Sequence, residues 1–238
     1  MHFEYKKIDS LPKLAWCAVL HKDTPVISLY HGPQVETRPD RCFEGAWNGP
    51  FEAGNFAEAD TFTGSGICLA AEGALFATPT HPTEHLYVVR IADQLIVSNS
   101  WVFLLVKIND QPDLAYANYF FDLRHNFRGI KRAPTKLRTQ NGNQVYLYDT
   151  CNLVISPDLT IRRLVKKQPQ APRAYHELAE LFQTTVKLVV NNAMQPTRRQ
   201  CYRPVAMTST GHDSPAVTAL FANAGGTESV TYAWDQPN

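Results

Sequence analysis

Short runs of apolar and alternating residues, separated by turn signals, dominate the first two thirds of the chain. Runs of this length are typical of strands rather than helices, and the pair Ala92-Asp93 between two of them predicts a tight hairpin. The predicted strands are Ala15–Leu20, Val26–Tyr30, Gly66–Ala70, Leu86–Arg90, Gln94–Ser98, Val145–Tyr148 and Leu153–Ile155. One helix is predicted in this part, over Tyr116–Arg124. Many strands with few helices indicate a β-rich, layered α+β domain over residues 1–165.

The pattern changes after Val165. Residues 166–172 are polar and contain two prolines, which is typical of a linker. From Ala174 to Ala193, apolar residues recur at steps of three and four, which predicts a helix with one apolar face that ends before Pro196. The apolar face consists of Leu178, Leu181, Phe182, Val186 and Val189. Residues 166–200 are therefore predicted to be a linker followed by an amphipathic helix.

The last segment, residues 201–238, predicts a strand–loop–helix–strand unit. Val205–Met207 is an apolar run, and the small polar loop Ser209–Ser214 follows it. Pro215–Ala222 predicts a helix with Ser214 as its N-cap, and a glycine pair closes that helix. Ser229–Ala233 predicts the next strand. Because a strand, a helix and a second strand in this order favour parallel pairing, a parallel sheet is expected to begin here.

Composition narrows the classes of partner. The chain has 238 residues and a formal net charge of +1, so no strong field favours nucleic acid or an anionic membrane. No apolar run approaches the ~20 residues that span a bilayer, and no apolar segment of a signal peptide follows Met1. The five cysteines are widely spaced and form no Cys-x-x-Cys pair, which indicates reduced thiols and a cytoplasmic protein.

The loop Ser209–Ser214 has the composition of a phosphate site. A helix N-terminus offers unpaired N–H groups and partial positive charge, which suit an anion. The hydroxyls of Ser209, Thr210 and Ser214 add donors, and Gly211 allows close approach of the backbone. Asp213 offers a carboxylate of the kind that holds Mg²⁺.

This loop resembles the Ser-Gly-Gly-x-Asp-Ser loop of the ATP pyrophosphatase, or PP-loop, family. Ser209, Gly211, Asp213 and Ser214 match that motif, whereas Thr210 replaces its first glycine. The resemblance implies ATP and Mg²⁺ as cofactors. Ser209, Thr210, Gly211 and Ser214 would then bind the pyrophosphate of ATP, and Asp213 would bind the metal, while a substrate carboxylate is adenylated.

The order of a β-rich domain, a linker, a helix and this loop is similar to that of asparagine synthetase and its relatives. Phe43–Gly49 and Leu95–Ser100 are similar to strands of their N-terminal glutamine amidotransferase domain, and Gly129–Leu137 resembles its proline-bearing stretch. The resemblance implies an amidotransferase-like (Ntn) fold over 1–165 and the start of a PP-loop domain over 201–238. It also implies an ATP-dependent ligase that joins a small-molecule carboxylate to an amine.

The resemblance fails at the glutaminase nucleophile. A working enzyme of this family attacks glutamine with an N-terminal cysteine, whereas here Met1 is followed by His2. The first cysteine, Cys17, lies within an apolar strand pattern and is predicted to be a buried small hydrophobe. No catalytic residue is therefore assigned to this domain, and the amine is expected from elsewhere, for example from a separate donor protein.

The second departure is length. Only four residues follow Trp234, whereas a pyrophosphatase domain needs further strands to enclose a nucleotide. We therefore expect the chain to be either a truncated ligase or a remnant, without synthetase turnover on its own. The alternative from another class is a non-enzymatic binding or assembly protein with a degenerate nucleotide loop. A small-molecule hydrolase that uses the histidines ranks below both.

Three other groups have a functional and a structural interpretation. His81 and His85 have the spacing of metal ligands, but Pro82 favours a loop with solvated histidines. The pair Arg198-Arg199 is either a triphosphate clamp or a solvated surface pair. The aromatic residues Trp47, Phe51 and Phe56 either line a pocket or pack in a core, and packing is the default.

Overall fold

The computed structural model describes residues 1–116, 135–166 and 170–232. The chain forms two compact units. The first contains Met1–Gly45 and Phe62–Lys167, and the second contains Ala46–Thr61 and Gln168–Asn238. The chain is a mixed, sheet-rich α+β protein, which confirms the coarse fold class expected from the pattern. The finer division at residues 165 and 200, with its family assignments, stays a prediction.

Most of the regular secondary structure in the described part of the first unit is strand. They are β1 (His2–Lys7), β2 (Trp16–His21), β3 (Val26–His31), β4 (Glu36–Arg38), β5 (Arg41–Glu44), β6 (Ser65–Ala70), β7 (Gly73–Ala77), β8 (Leu86–Ile91), β9 (Gln94–Ser98), β10 (Lys136–Arg138), β11 (Gln144–Tyr148), β12 (Cys151–Ile155) and β13 (Ile161–Val165). Within the described residues, one sheet has the order β1-β3-β2-β9-β8-β11-β10 and another has the order β13-β12-β7-β6-β5-β4. Neighbouring strands are antiparallel, except that β1 and β3 are parallel.

The two sheets share one apolar core. Alternate residues of a strand point to opposite faces, so each sheet can present one apolar face to the other. Trp16 and Leu29 from the first sheet lie in one cluster with Ile67 and Phe76 from the second, and all four side chains are fully buried. The rings of Trp16 and Phe76 have centroids 6.3 Å apart. The first unit is therefore layered, with its largest core between the sheets.

A short helix, α1 (Trp101–Lys107), covers the other face of the first sheet. Ser100 caps its N-terminus, because the Ser100 hydroxyl accepts a hydrogen bond from the Phe103 N–H at 3.3 Å. Phe103 and Leu104 pack against Cys17 and other residues of the first sheet. The cap therefore fixes the point at which the chain leaves β9 and turns onto the sheet.

Most strand predictions in the first unit are confirmed. The Ala92-Asp93 hairpin is confirmed, with Ala92 at φ +49° and Ile91 paired with Gln94. Strands β1, β4, β7, β10 and β13 and helix α1 were not predicted; β1, for example, lies at a sheet edge and carries polar and charged side chains. The helix predicted over Tyr116–Arg124 lies, beyond its first residue, outside the described residues.

Among its described residues, the second unit contains two α-helices, two single-turn 3-10 helices (Phe51–Ala53 and Phe56–Glu58) and a short parallel strand pair. Helix α2 (Tyr175–Ala193) confirms the predicted amphipathic helix. Strands β14 (Ala206–Met207) and β15 (Ser229–Val230) flank helix α3 (Asp213–Asn223), and their parallel pairing confirms the predicted β–α–β unit. The end of the last predicted strand, Ala233, lies outside the described residues. No helix in the described part of the chain combines the length and apolar character needed to cross a bilayer.

Only the C-terminal end of α3 matches the prediction from the sequence. At the C-terminus, Gly225 has φ +91°, its N–H donates to Ala222 O, and the Gly226 N–H donates to Phe221 O. These are the two bonds of a Schellman motif. At the N-terminus the prediction is wrong, because the helix begins at Asp213 and Ser214 lies inside its first turn. The Ser214 hydroxyl bonds Ser209 instead of capping the helix.

A buried arginine organises the other end of the second unit. The Arg198 side chain is 5% exposed and donates from Nε to Asn192 O at 2.7 Å and from Nη2 to the Asn192 side chain. Its guanidinium lies 4.5 Å from the ring centroid of Phe51, and Asn192 Nδ2 donates to Gly49 O at 2.7 Å. Both interpretations of Arg198 as a surface residue are therefore wrong, because it ties residues 46–61 to the end of α2.

The aromatic residues near Arg198 form a packed cluster. The ring centroid of Trp47 lies 5.9 Å from that of Phe51 and 5.9 Å from that of Phe56, and all three residues are buried. The default prediction of core packing for these residues is confirmed.

Gly73 begins β7 in a backbone conformation that side chains rarely adopt. Its φ is +146°, and a Cβ built on it would lie 2.2 Å from Ile155 O. We expect Gly73→Ala to lower the free energy of unfolding by roughly 3 kcal/mol, measured by urea denaturation. Gly142→Ala is the matched control: Gly142 also has positive φ, but a Cβ there meets nothing within 4 Å, so a loss of only about 1 kcal/mol is expected. Equal losses in the two variants would contradict the steric explanation.

Arg198 should contribute far more to stability than a surface arginine. Arg198→Ala leaves a buried amide without its donor and removes the stacked cation, so we expect a loss of roughly 3 kcal/mol in urea denaturation. Arg203→Ala is the control, because Arg203 is 80% exposed and pairs with Glu228 at the surface. That variant should lose less than about 1 kcal/mol. A comparable loss in both would exclude the organising role of Arg198.

Candidate functional site

The predicted phosphate loop connects β14 to α3 and lies at the surface. The predicted residues Ser209, Thr210, Gly211 and Asp213 are exposed, and Ser214 is half-buried. The structure brings the two serines together, with their Oγ atoms 2.7 Å apart and the Ser209 N–H donating to Ser214 Oγ at 2.8 Å. The Gly211 N–H donates to Ser209 Oγ at 3.2 Å. The loop is therefore a compact turn ordered by its own hydroxyl groups.

Several donors of this loop remain open to solvent. Among the described contacts, the N–H groups of Thr210 and His212 donate to no acceptor, and the Asp213 carboxylate has no partner. The first N–H groups of α3 also have no acceptor within the helix. These amides and the serine hydroxyls can bind an anion, and Asp213 can contact a metal held by that anion.

Asp213 belongs to no cluster of metal-binding side chains in the described part of the chain. Within residues 1–116, 135–166 and 170–232, no group of three or more His, Cys, Asp or Glu residues is placed to hold a metal ion. A Mg²⁺ ion at Asp213 would therefore depend on phosphate oxygens and water for most of its ligands, which is common for this ion.

Gly211 is not required by the packing of the loop. A Cβ built on it would meet only Ser209 Oγ, at 3.4 Å, and its backbone is outside the left-handed region. An alanine would therefore fit the structure. The lack of a side chain at Gly211 would therefore matter for a ligand that approaches the loop from solvent.

Cys17 confirms the prediction of a buried hydrophobe. It lies in β2, its side chain has no exposed surface, and burial raises the pKa of its thiol to about 12. Because the thiolate is the nucleophile, a thiol that holds its proton this strongly is unsuited to attack on an amide.

A second site, which the sequence analysis missed, is a cavity of about 360 Å³ in the first unit. It lies beside the start of β2, the end of β5, the start of β6 and the end of β9. The residues that matter for its chemistry are Glu44, Ser65, Glu84, His85 and Asn99. One signal in the sequence pointed to it: Glu44 ends the apolar segment Cys42-Phe43, where a buried strand would not carry a charge.

Glu44 is held firmly on one side. Its Oε1 accepts hydrogen bonds from the N–H and the hydroxyl of Ser65, both at 2.7 Å, and from Asn99 Nδ2 at 3.4 Å. Ser65 Oγ in turn accepts from Trp16 Nε1 at 3.0 Å. The carboxyl orientation is therefore set by a chain of bonds that begins at a core tryptophan.

Burial raises the pKa of Glu44 to about 7. The hydrogen bonds from Ser65 oppose this shift, whereas the negative charge of Glu84 adds to it. A carboxyl group that changes charge near neutral pH inside a cavity is typical of a ligand or catalytic site.

His85 lies in the wall of the same cavity, so the prediction that it is solvated is wrong. It is 9% exposed, and its Nδ1 lies 3.1 Å from Asp149 Oδ2. His81 lies in the predicted loop, with Nδ1 at 2.6 Å from the Thr83 hydroxyl. Burial acts to raise the pKa of Asp149, but the nearby His85 ring and the hydrogen bond from Thr150 lower it overall.

No protein-family model matches the chain, and no curated protein matches it. Any function of the chain must therefore be argued from its own residues and their geometry.

The raised pKa of Glu44 makes stability depend on pH. The folded state keeps a proton that the unfolded state has released above about pH 4.5, so stability falls between about pH 4.5 and pH 7. Glu44→Gln keeps an oxygen for Ser65 but cannot ionise. We expect the variant to exceed the wild type in free energy of unfolding by about 3 kcal/mol at about pH 8, and by less than about 1 kcal/mol at about pH 5.

Urea denaturation at the two pH values measures this difference. Glu72→Gln is the control, because Glu72 is 72% exposed and pairs with Arg162 at the surface. Its effect should be small and equal at both pH values. A Glu44→Gln variant that behaves like this control would show that Glu44 ionises normally.

Proposed function

We propose that the chain is an asparagine synthetase-like protein. In this proposal an amidotransferase-like unit without a glutaminase nucleophile accompanies the nucleotide-binding segment of an ATP pyrophosphatase. The proposed activity is ATP-dependent ligation of a carboxylate and an amine, in the cytoplasm. The observation that carries it is the exposed loop Ser209–Ser214, which joins a strand to a helix in a parallel β–α–β unit and leaves amide donors open.

The position of the loop supports a phosphate ligand. In open α/β sheets, ligands bind beyond the carboxyl ends of the strands, and this loop follows the carboxyl end of β14. The N-terminus of α3 adds partial positive charge at the same place. The glycine that the fold itself does not need, Gly211, allows an oxygen-rich ligand to approach the backbone.

The proposed roles follow from the chemistry of each side chain. Ser209, Thr210, Gly211 and Ser214 would bind the pyrophosphate of ATP through hydroxyl and amide hydrogens. Asp213 would hold Mg²⁺, which neutralises charge on the departing pyrophosphate. The carboxylate substrate would become an acyl-adenylate, and attack by an amine would form the amide.

The first unit supports the amidotransferase-like part of the proposal. Two facing sheets with a helix on one outer face agree with a layered α+β fold of that type. Because Cys17 is buried and protonated, this unit supplies no thiolate at β2 for glutamine hydrolysis. The amine would then reach the ligase as a free small molecule or from a separate donor protein.

MgATP binding tests the proposal directly. With ligand at about 100 times its dissociation constant, the free energy of unfolding should rise by about 2.7 kcal/mol. Asp213→Ala should weaken binding of MgATP and abolish the dependence of ATP binding on Mg²⁺, because the metal loses its carboxylate. Gly211→Ala should weaken binding without loss of stability, since the added methyl group faces the ligand and not the protein.

Isothermal titration and urea denaturation give these values. Asp9→Ala is the matched control: Asp9 is 78% exposed and pairs with Lys7 in the first unit, so ATP affinity should be unchanged. Unaltered MgATP affinity in both loop variants would remove this loop from the function. Absence of any binding by the wild type would do the same.

The second candidate function is a non-enzymatic binding or assembly protein. Exposed large apolar side chains on α2 favour it, because Tyr175 is 85%, Phe182 50% and Leu181 38% exposed. Apolar groups clustered at a surface are typical of protein contacts. Loss of the MgATP effect in the experiment above would favour this candidate.

A further inference from the structure

The cavity beside Glu44 has the size and construction of a small-molecule site. Its volume of about 360 Å³ falls within the range of roughly 300–1,000 Å³ that is usual for ligand pockets. Its walls combine apolar surface from Leu14 and Tyr87 with polar groups from Glu44, Asn99 and Ser100. The cavity lies wholly in the first unit and shares no residue with the nucleotide loop.

The charge of the cavity favours a cation. Its wall contains the carboxyl groups of Glu44 and Glu84, and no lysine or arginine occurs among the described residues that line it. His85 is the one basic side chain among the described wall residues, and its Nδ1 lies 3.1 Å from Oδ2 of a different carboxylate, that of Asp149. Nothing positive in the described wall therefore balances Glu44.

One carboxyl oxygen of Glu44 accepts hydrogen bonds from the protein, and the other accepts none from the described residues. All of its hydrogen bonds, from Ser65 and Asn99, go to Oε1. Among the described residues no donor reaches Oε2. A fixed carboxylate with one open oxygen is a preorganised acceptor, since no side-chain freedom is lost when a donor arrives.

The single open oxygen also selects the kind of cation. A guanidinium group prefers both oxygens of a carboxylate, and one of them is already occupied. A resident metal ion would need more ligands, and the described residues contain no group of three or more acidic, histidine or cysteine side chains for it. A compact ammonium group needs only one such oxygen plus neighbouring acceptors.

We propose that this cavity binds a small organic molecule through a protonated primary amine, which donates a hydrogen bond to Oε2 of Glu44. Glu84 adds negative charge at the cavity wall, and Leu14 and Tyr87 contact the apolar body of the molecule. The inference does not depend on nucleotide binding, because no residue of the 209–214 loop takes part.

Three probes of similar shape test the proposal: phenethylamine, 2-phenylethanol and phenylacetate. They carry a positive, a neutral and a negative group on the same body. Titration calorimetry without nucleotide, at about pH 8 where Glu44 is ionised, should give roughly tenfold tighter binding for phenethylamine than for 2-phenylethanol. Phenylacetate should not bind measurably. Equal affinity for the amine and the alcohol, or no binding of the amine, would overturn the proposal.

Two substitutions locate the binding. Glu44→Gln keeps the bond from Ser65 and should reduce phenethylamine affinity by roughly tenfold while leaving 2-phenylethanol unchanged. Glu72→Gln, at an exposed residue outside the cavity, should alter neither affinity. If Glu44→Gln retains full amine affinity, the amine binds elsewhere and the assignment is wrong. The wild-type affinities for the three probes decide the question even if a variant does not fold. MgATP binding is measured in separate titrations, so failure of the nucleotide proposal leaves this result unaffected.

Discussion

The packing of two sheets over one apolar core is the constraint on which the first unit depends. Trp16 lies in that core, and its ring packs near Phe76 of the opposite sheet. A buried indole N–H must find an acceptor, and here it finds Ser65 Oγ. Ser65 then donates to Glu44, so the packing of the core determines where a carboxyl group is held at its edge.

At Glu44, stability and ligand binding make opposite demands on the structure. Burial of Glu44 disfavours its charged form, and the open Oε2 leaves part of the hydrogen-bonding capacity of the carboxyl unused. Proteins retain such groups mainly where a ligand or a reaction uses them. The cavity beside Glu44 gives a physical reason for keeping the group, since a bound cation would offset its burial.

In the second unit, a small apolar cluster of Val190, Ala206 and Phe221 and the buried Arg198 hold the elements together. The described strands of this unit are only two residues each, so they bury little. Arg198 instead joins Asn192 at the end of α2 to the aromatic cluster of Trp47 and Phe51. The glycine pair after α3 and the hydroxyl bonds of Ser209 and Ser214 order the remaining loops locally.

The sequence by itself determined most of the strands, helix α2 and the β–α–β order around residues 206–230. Those features depend on periodicity and turn residues that lie within a few positions of each other. The motif at Ser209–Ser214 was visible for the same reason. The motif did not reveal that the Ser214 hydroxyl bonds Ser209 instead of capping the helix, because the two arrangements differ only in side-chain geometry.

Only the tertiary structure decided the burial of Arg198 and His85 and the cavity at Glu44. Glu44 meets Asn99 across 55 residues and Ser65 across 21, and Trp16 meets Ser65 across 49. Contacts between residues so far apart leave no local pattern, because the side chains meet only after the sheets have paired. A charged residue at the end of an apolar strand was the single trace of this site in the sequence.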